Sequence, residues 1–204
     1  MKLYYSPGAC SLAPHIVARE AGIPLDLEKV DLATHKLADG ADYFGVNPRG
    51  YVPALRLNDG EPVLTEANIV VQYLADQKPE AGLMPKAGSP ERYRAQQWLA
   101  YVSTELHKNL AWFWYKDVPE ATKTILREKL DKRFAELDSH FRSNDFLLGK
   151  GFSAADAYAF TIVSWVNMLG ISLKNFPNLQ AFLARVAARP KVQEALKAEG
   201  LIPA

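Results

Sequence analysis

The only cysteine of this chain, Cys10, stands at a junction that makes thiols reactive. It follows a short apolar run, Leu3-Tyr4-Tyr5, and a turn, Ser6-Pro7-Gly8-Ala9. Ser11 to Val17 then read as the opening of a helix. Helix N-termini carry unpaired N–H groups and partial positive charge, which favours a thiolate and lowers a cysteine pKa. A buried free cysteine is an ordinary small hydrophobe, but the helix-start position favours the reactive reading. With no second cysteine to resolve an internal disulfide, any redox cycle at Cys10 needs an external thiol. Forty residues on, Tyr51-Val52-Pro53-Ala54-Leu55 places a proline at the head of another apolar run. That position suggests a cis bond in a tight turn. Such a turn faces the Val52 N–H and C=O outward, where an extended peptide can pair with them as an added strand.

Other chemistry-bearing residues are less specific. Glu66-Ala67 opens a helix, where a carboxylate complements the dipole. Ser11 reads as a cap and Tyr5 as core. Trp112-Phe113-Trp114-Tyr115 sets four rings at consecutive helical positions, which cannot all face one core. Some of them, with Trp165 of a later helix, suit a flat apolar ligand. His15, His35, His107 and His140 are scattered without ligand spacing, so no metal site is expected. There is no glycine-rich phosphate loop and no basic aromatic face for nucleic acid.

Positioning these residues takes two kinds of structure. The 204 residues suit one large domain or two small ones. Apolar residues are 49% and charged residues 23%, with a net charge of +1. These are ordinary soluble values that steer neither nucleic acid nor anionic membrane. One cysteine argues for a reducing compartment, and no apolar run approaches a membrane span or signal segment. A cytoplasmic location is expected.

Residues 1–80 read as an α/β domain. Leu3–Tyr5 is a strand, and Ser11–Ala21 a helix stopped at Gly22. Leu25–Asp31 alternates as a half-exposed strand, and Thr34–Gly45 reads as a loose helical segment. Pro53–Leu57 and Pro62–Leu64 flank a hairpin signal at Asn58-Asp59-Gly60. Thr65 is expected to cap a helix through Leu74. The pattern breaks from Gln77, and residues 81–90 read as a linker. Residues 91–204 read as all-helical. The expected helices are 91–114, 121–142, 157–168 behind a capping box at Ser153-Ala154-Ala155-Asp156, 178–188 and 191–199. Asp156 is read as a structural cap rather than an acid. The α/β half, with Cys10 and Val52-Pro53 in this relation, suggests a thioredoxin-like domain.

At this point the chain resembles the bacterial, cysteine-containing beta class of glutathione transferases. The resemblance rests on residues 2–12, Asn47-Pro48-Arg49-Gly50-Tyr51-Val52-Pro53, Leu64-Thr65-Glu66-Ala67, Glu105-Leu106-His107-Lys108 and Phe152-Ser153-Ala154-Ala155-Asp156. Each is weak alone, but together they run in family order across the whole chain. The resemblance implies a homodimer that binds glutathione in the first domain and a small hydrophobic electrophile between the domains. Glutathione is then a co-substrate, and no cofactor, metal, nucleic acid or membrane is called for.

The resemblance also assigns roles. Cys10 either hydrogen-bonds the glutathione sulfur or attacks a disulfide and holds glutathione as a mixed disulfide. Val52 and Pro53 receive its peptide backbone. Glu66 pairs with the γ-glutamyl ammonium, while the N–H groups from Ala67 receive the carboxylate. Many relatives carry Ser where Ala67 stands, so one hydroxyl donor is missing. His35 or Lys36 reaches the glycyl carboxylate. Thr104, His107 and Lys108 lean over Cys10 and glutathione, with His107 as an electrostatic stabiliser. Ala100 stands where relatives often have Asn. Trp112, Tyr115 and Trp165 are assigned to the electrophile pocket. The expected activity is conjugation of glutathione to hydrophobic electrophiles. Two alternatives stand beside it: a glutathione-dependent thiol–disulfide oxidoreductase with Cys10 as nucleophile, and a non-catalytic ligand or partner binder.

Overall fold

Leu3 and Tyr4 are both buried within Lys2–Tyr5, the first strand, β1, which is the centre of a mixed sheet. The computed structural model describes residues 1–203, which fall into two units. The first unit holds residues 1–84 and the segment from Arg189 onward. Its strands are β1, β2 (Asp26–Asp31), β3 (Lys36–Leu37), β4 (Ala54–Arg56) and β5 (Leu64–Thr65), in the spatial order β3-β2-β1-β4-β5. β1 and β2 are parallel, joined through helix α1 (Leu12–Glu20), and the other pairs are antiparallel. Parallel neighbours need such a crossover.

Helix α1 stops where Gly22 takes φ +66°. The Gly22 N–H reaches the Arg19 carbonyl at 3.2 Å, and the Ile23 N–H reaches Ala18 at 2.8 Å. These bonds satisfy the last carbonyls of the helix. Leu3, Ile16, Val17, Leu55 and, from helix α2 (Ala67–Asp76), Val70, Val71 and Leu74 are fully buried. Each such side chain contributes about 1.5–3 kcal/mol. Tyr4, Val30, Tyr43, Val52 and Ala54 form a second buried cluster.

Three expectations fail in this unit. Thr34–Gly45 is not helical: it holds the two-residue strand β3 and a 3₁₀ turn at Tyr43–Gly45. The polar pattern was that of an edge strand, paired to β2 through Val30 with Leu37 and Asp31 with Lys36. Thr65 does not cap α2 but lies in β5 opposite Ala54, and Glu66 takes the cap position. The closing helix, α9 (Pro190–Ala198), belongs with the first unit rather than with a helical domain ending at 204. Its buried Val192 and Ala195 lie on the helix that packs on α1. The linker segment also buries Leu83 and Met84.

The second unit, residues 85–188, is helical. Helix α3 (Pro90–Tyr101) starts with Ser89 Oγ accepting from the Arg92 N–H at 3.2 Å. The expected helix 91–114 is interrupted. After α3 the chain makes a π turn over Val102–His107, one α turn in α4 (Lys108–Ala111) and a 3₁₀ turn at Trp112–Trp114. Helix α5 (Glu120–Phe141) follows, then α6 (Ala154–Val163), α7 (Trp165–Leu169) and α8 (Pro177–Ala187). The expected helix 157–168 is thus two helices, parted at Ser164. Every residue of α6 is buried. Among the described residues no helix is long and apolar enough to cross a membrane, and no cluster of metal-ligating side chains forms.

Candidate active site

The turn before α1 carries Cys10, and its geometry is locked by hydrogen bonds. Ser11, fully buried, accepts from the Ser6 N–H at 3.2 Å and donates to the Ser6 carbonyl at 3.3 Å. Its hydroxyl therefore ties the turn and makes no cap bond to α1. The Gly8 N–H donates to Glu199 Oε2 at 2.9 Å. Gly8 has φ +70°, and a Cβ there would sit 3.3 Å from the Leu201 side chain. The other Glu199 oxygen lies 2.9 Å from His15 Nδ1, and both side chains are buried. Burial, aided by the Glu199 charge, pushes the Tyr5 phenol up, so Tyr5 stays protonated.

Cys10 is half-buried, and its Sγ lies 3.1 Å from the Val52 carbonyl. The Val52–Pro53 peptide is cis. Val52 precedes the residues of β4 that pair with β1 and β5. The chain is held there from behind: the Tyr43 hydroxyl and Asn47 Nδ2 donate to the Tyr51 carbonyl at 2.9 and 2.7 Å. Tyr43 was not singled out by sequence, and Asn47 stood out only as the first residue of the Asn47–Pro53 segment that carries the resemblance.

Glu66 opens α2 with φ +68° and ψ 114°, and its side chain caps nothing. A non-glycine residue held there stores about 1–3 kcal/mol of strain, which persists where function or context demands it. Its carbonyl accepts from Ile69 and Val70, both at 2.9 Å. Its carboxylate is exposed, 3.2 Å from Arg49 Nη1. Ala67 is buried directly after it. The first N–H groups of such a helix have no acceptor within the helix.

His35 and Lys36 do different things. His35, at φ +52°, donates from Nδ1 to the Gly50 carbonyl at 3.2 Å and packs on the Phe44 ring with centroids 4.5 Å apart. Gly50 is required there, since a Cβ would lie 2.7 Å from Phe44 and 2.9 Å from His35. Lys36 is exposed on β3.

In the second unit, the π turn carries Thr104 and His107. π turns recur at functional sites because the extra residue re-aims side chains. Thr104 is exposed and donates to the Ala100 carbonyl at 3.0 Å. Glu105 is held by Arg133 at 2.7 Å and Lys129 at 3.6 Å. His107 is half-buried, with Nδ1 2.6 Å from the Tyr158 hydroxyl and its ring 5.0 Å from Trp165. Burial, with the neighbouring Lys108 charge, pulls its pKa down to about 4. The ring is therefore neutral at physiological pH.

The expected aromatic trio separates into two groups. Trp165 is buried and packs with His107 and Trp114, whose ring lies 6.1 Å away. Trp112 and Tyr115 are exposed and pair with each other at 5.8 Å. Tyr158 was missed because a tyrosine in an apolar helix reads as core, and nothing local marks its hydroxyl.

Asp156 is a cap, as its position suggested. It accepts from the Leu147 N–H at 2.7 Å, the Ser153 N–H at 2.8 Å and the Ser153 hydroxyl at 2.6 Å.

Two family models match this chain: the glutathione S-transferase N-terminal domain over residues 8–77 and its C-terminal domain over 95–190. Glutathione S-transferase GstA of Escherichia coli O157:H7 is 44% identical, over 98% of this chain and 100% of the relative. The solved structure of BphK, a bacterial transferase in a ternary complex, is 48% identical with a TM-score of 0.95, covering 98% of this chain and 100% of its own. A beta-class glutathione S-transferase of Sphingomonas chungbukensis is 43% identical with a TM-score of 0.94, covering 99% and 100%. With both domain models matched in order and these relatives spanned end to end, the chain belongs to the glutathione S-transferase family, in its bacterial beta class.

Proposed function

We propose that this protein conjugates glutathione to small hydrophobic electrophiles, with Cys10 at the glutathione sulfur. The observation that carries the reading is a half-buried Cys10 thiol on the Val52 main chain, with the β4–β5 pair Ala54–Thr65 leading from there to a strained, exposed Glu66 at the start of α2. The tripeptide backbone pairs along Val52 and Pro53. The γ-glutamyl ammonium pairs with Glu66, and its carboxylate meets the N–H groups from Ala67. Lys36 supplies an exposed ammonium for the glycyl carboxylate, and His35 shapes the loop beside it. His107, with Thr104 and Lys108 on the same turn, supplies polar contacts, and the neutral ring is suited to donating toward a developing negative charge. Trp165, Trp112 and Tyr115 offer apolar faces for the electrophile. Holding a thiolate beside its target acts through proximity and preorganised charge stabilisation, and requires no cofactor. The protein works as a cytoplasmic homodimer.

A second reading has Cys10 itself attack a disulfide, and the partial exposure of the thiol favours it. Cys10→Ala separates the two. Wild type and variant are assayed for conjugation of glutathione to an activated aryl halide and for reduction of a small glutathione mixed disulfide. Conjugation is expected to persist in the variant while reduction disappears. Loss of both, with glutathione still bound, makes Cys10 the central nucleophile and overturns the transferase reading.

A further inference from the structure

We propose that Tyr158 sets the tautomer of His107: the phenol donates to Nδ1, so the ring carries its proton on Nε2 and offers a neutral N–H donor there. The inference rests on the reading of His107 as a donor to glutathione. The contact is 2.6 Å, short for a bond between neutral groups. Two directions are open to it, and acid–base strength separates them. A phenol is a far stronger acid than a neutral imidazole N–H, and the unprotonated imidazole nitrogen is a far stronger base than a phenol oxygen. The O–H···N direction is therefore favoured, and the ring proton goes to the other nitrogen.

The surroundings hold this pair rigid. Tyr158 is 1% exposed, so its hydroxyl cannot turn to water. The His107 and Tyr158 rings meet at 88°, and Trp165 closes on His107 at 75°. Tyr158 lies in the first turns of α6, whose start is fixed by the Asp156 bonds to Leu147 and Ser153. The depressed His107 pKa, about 4, keeps the ring in the neutral form that has a tautomer to set. His15 offers the opposite case in the same molecule. Arg19 Nε donates to its Nε2 at 3.3 Å, which leaves the His15 proton on Nδ1, facing Glu199. Tyr158 is thus a positioning residue acting through His107.

The test is the imidazole nitrogen spectrum of the full-length protein labelled with ¹⁵N-histidine at neutral pH, assigned with His107→Asn. Wild-type His107 is expected to show an unprotonated Nδ1 and a protonated Nε2. Tyr158→Phe is expected to shift those signals toward a mixture of tautomers and to lower kcat/KM for conjugation about tenfold. His107→Gln, whose amide N–H falls near the Nε2 position, should keep more activity than His107→Asn, which reaches only to Nδ1. In the His107→Gln background Tyr158→Phe should cost less than twofold, whereas a purely structural tyrosine would cost the same in both. A wild-type proton on Nδ1 overturns the proposal, as does a tautomer unchanged in Tyr158→Phe. Should Tyr158→Phe not fold, the wild-type spectrum and the Gln–Asn pair still decide. A wild-type protein with the Nε2–H tautomer but no conjugation sinks the functional reading and leaves the tautomer assignment standing.

Discussion

At the start of α6 the Asp156 carboxylate accepts three hydrogen bonds from Leu147 and Ser153 and is fully buried. At the start of α2 the Glu66 carboxylate caps nothing, stays exposed and sits on a residue with φ +68°. The two helix starts carry the same functional group in opposite states. Where the protein completes its own hydrogen bonds, the carboxyl group fastens the helix start from within. Where the helix start is left open on a residue in a disfavoured conformation, the carboxylate is exposed beside Arg49, and the proposed glutathione contact would draw on it. An acidic residue at a helix start is therefore informative only once its partners are known.

The largest expected effect follows from breaking the closed start. Asp156→Ala leaves the Leu147 and Ser153 N–H groups buried without their acceptor, at about 1–3 kcal/mol each. A loss of roughly 2–6 kcal/mol in urea unfolding is expected from two such groups, with glutathione affinity changed less than twofold. A large affinity change at unaltered stability would reverse the assignment of the two starts.

Breaking the open start should do the converse. Glu66→Ala is expected to weaken glutathione binding at least tenfold by calorimetric titration, in line with about 1.5–3 kcal/mol for a hydrogen bond to a charged group. The melting temperature should stay put, because the Arg49–Glu66 pair is exposed and such pairs contribute little. Unchanged affinity would remove Glu66 from the site.

The pH dependence of stability sharpens the contrast further. Burial pushes the Asp156 carboxyl up to about 6, outweighing the hydrogen bonds from Ser153 and Leu147. Between about pH 4 and 6 the folded state then binds more protons at this group than the unfolded chain does. Its contribution is fully present below pH 4 and is lost as pH rises through 6. Denaturant midpoints followed across that window should show this falling component in wild type and lack it in Asp156→Ala. An identical slope in both would refute it.

The smallest effect is a gain. Glu66→Gly relieves the positive φ while adding glycine's unfolded-state entropy, so a net stabilisation of up to ~1 kcal/mol is expected with glutathione binding lost. Destabilisation would show that the Glu66 backbone is not strained.

What could be read from sequence was local in its physics. The Gly22 stop, the strand before Cys10 and the Ser153–Asp156 box each depend on a few consecutive residues, and each appears where expected. Elements whose local pattern fits more than one structure were not legible. The strand Lys36–Leu37 exists because β2 offers it an edge, and the π turn at Val102–His107 has no composition of its own. The site divides the same way. Cys10, Val52 and Glu66 stood out by position, whereas the backing of Tyr51 by Tyr43 and Asn47, and of His107 by Tyr158, rests on side-chain hydrogen bonds that no pattern along the chain marks.

The Gly8–Glu199 bond spans 191 residues and the His15–Glu199 contact 184. One carboxylate thus holds both the turn before Cys10 and a residue of α1. Opening of α9 at Glu199 therefore releases Gly8 and His15 together, so a disturbance at that helix end reaches the turn that carries Cys10.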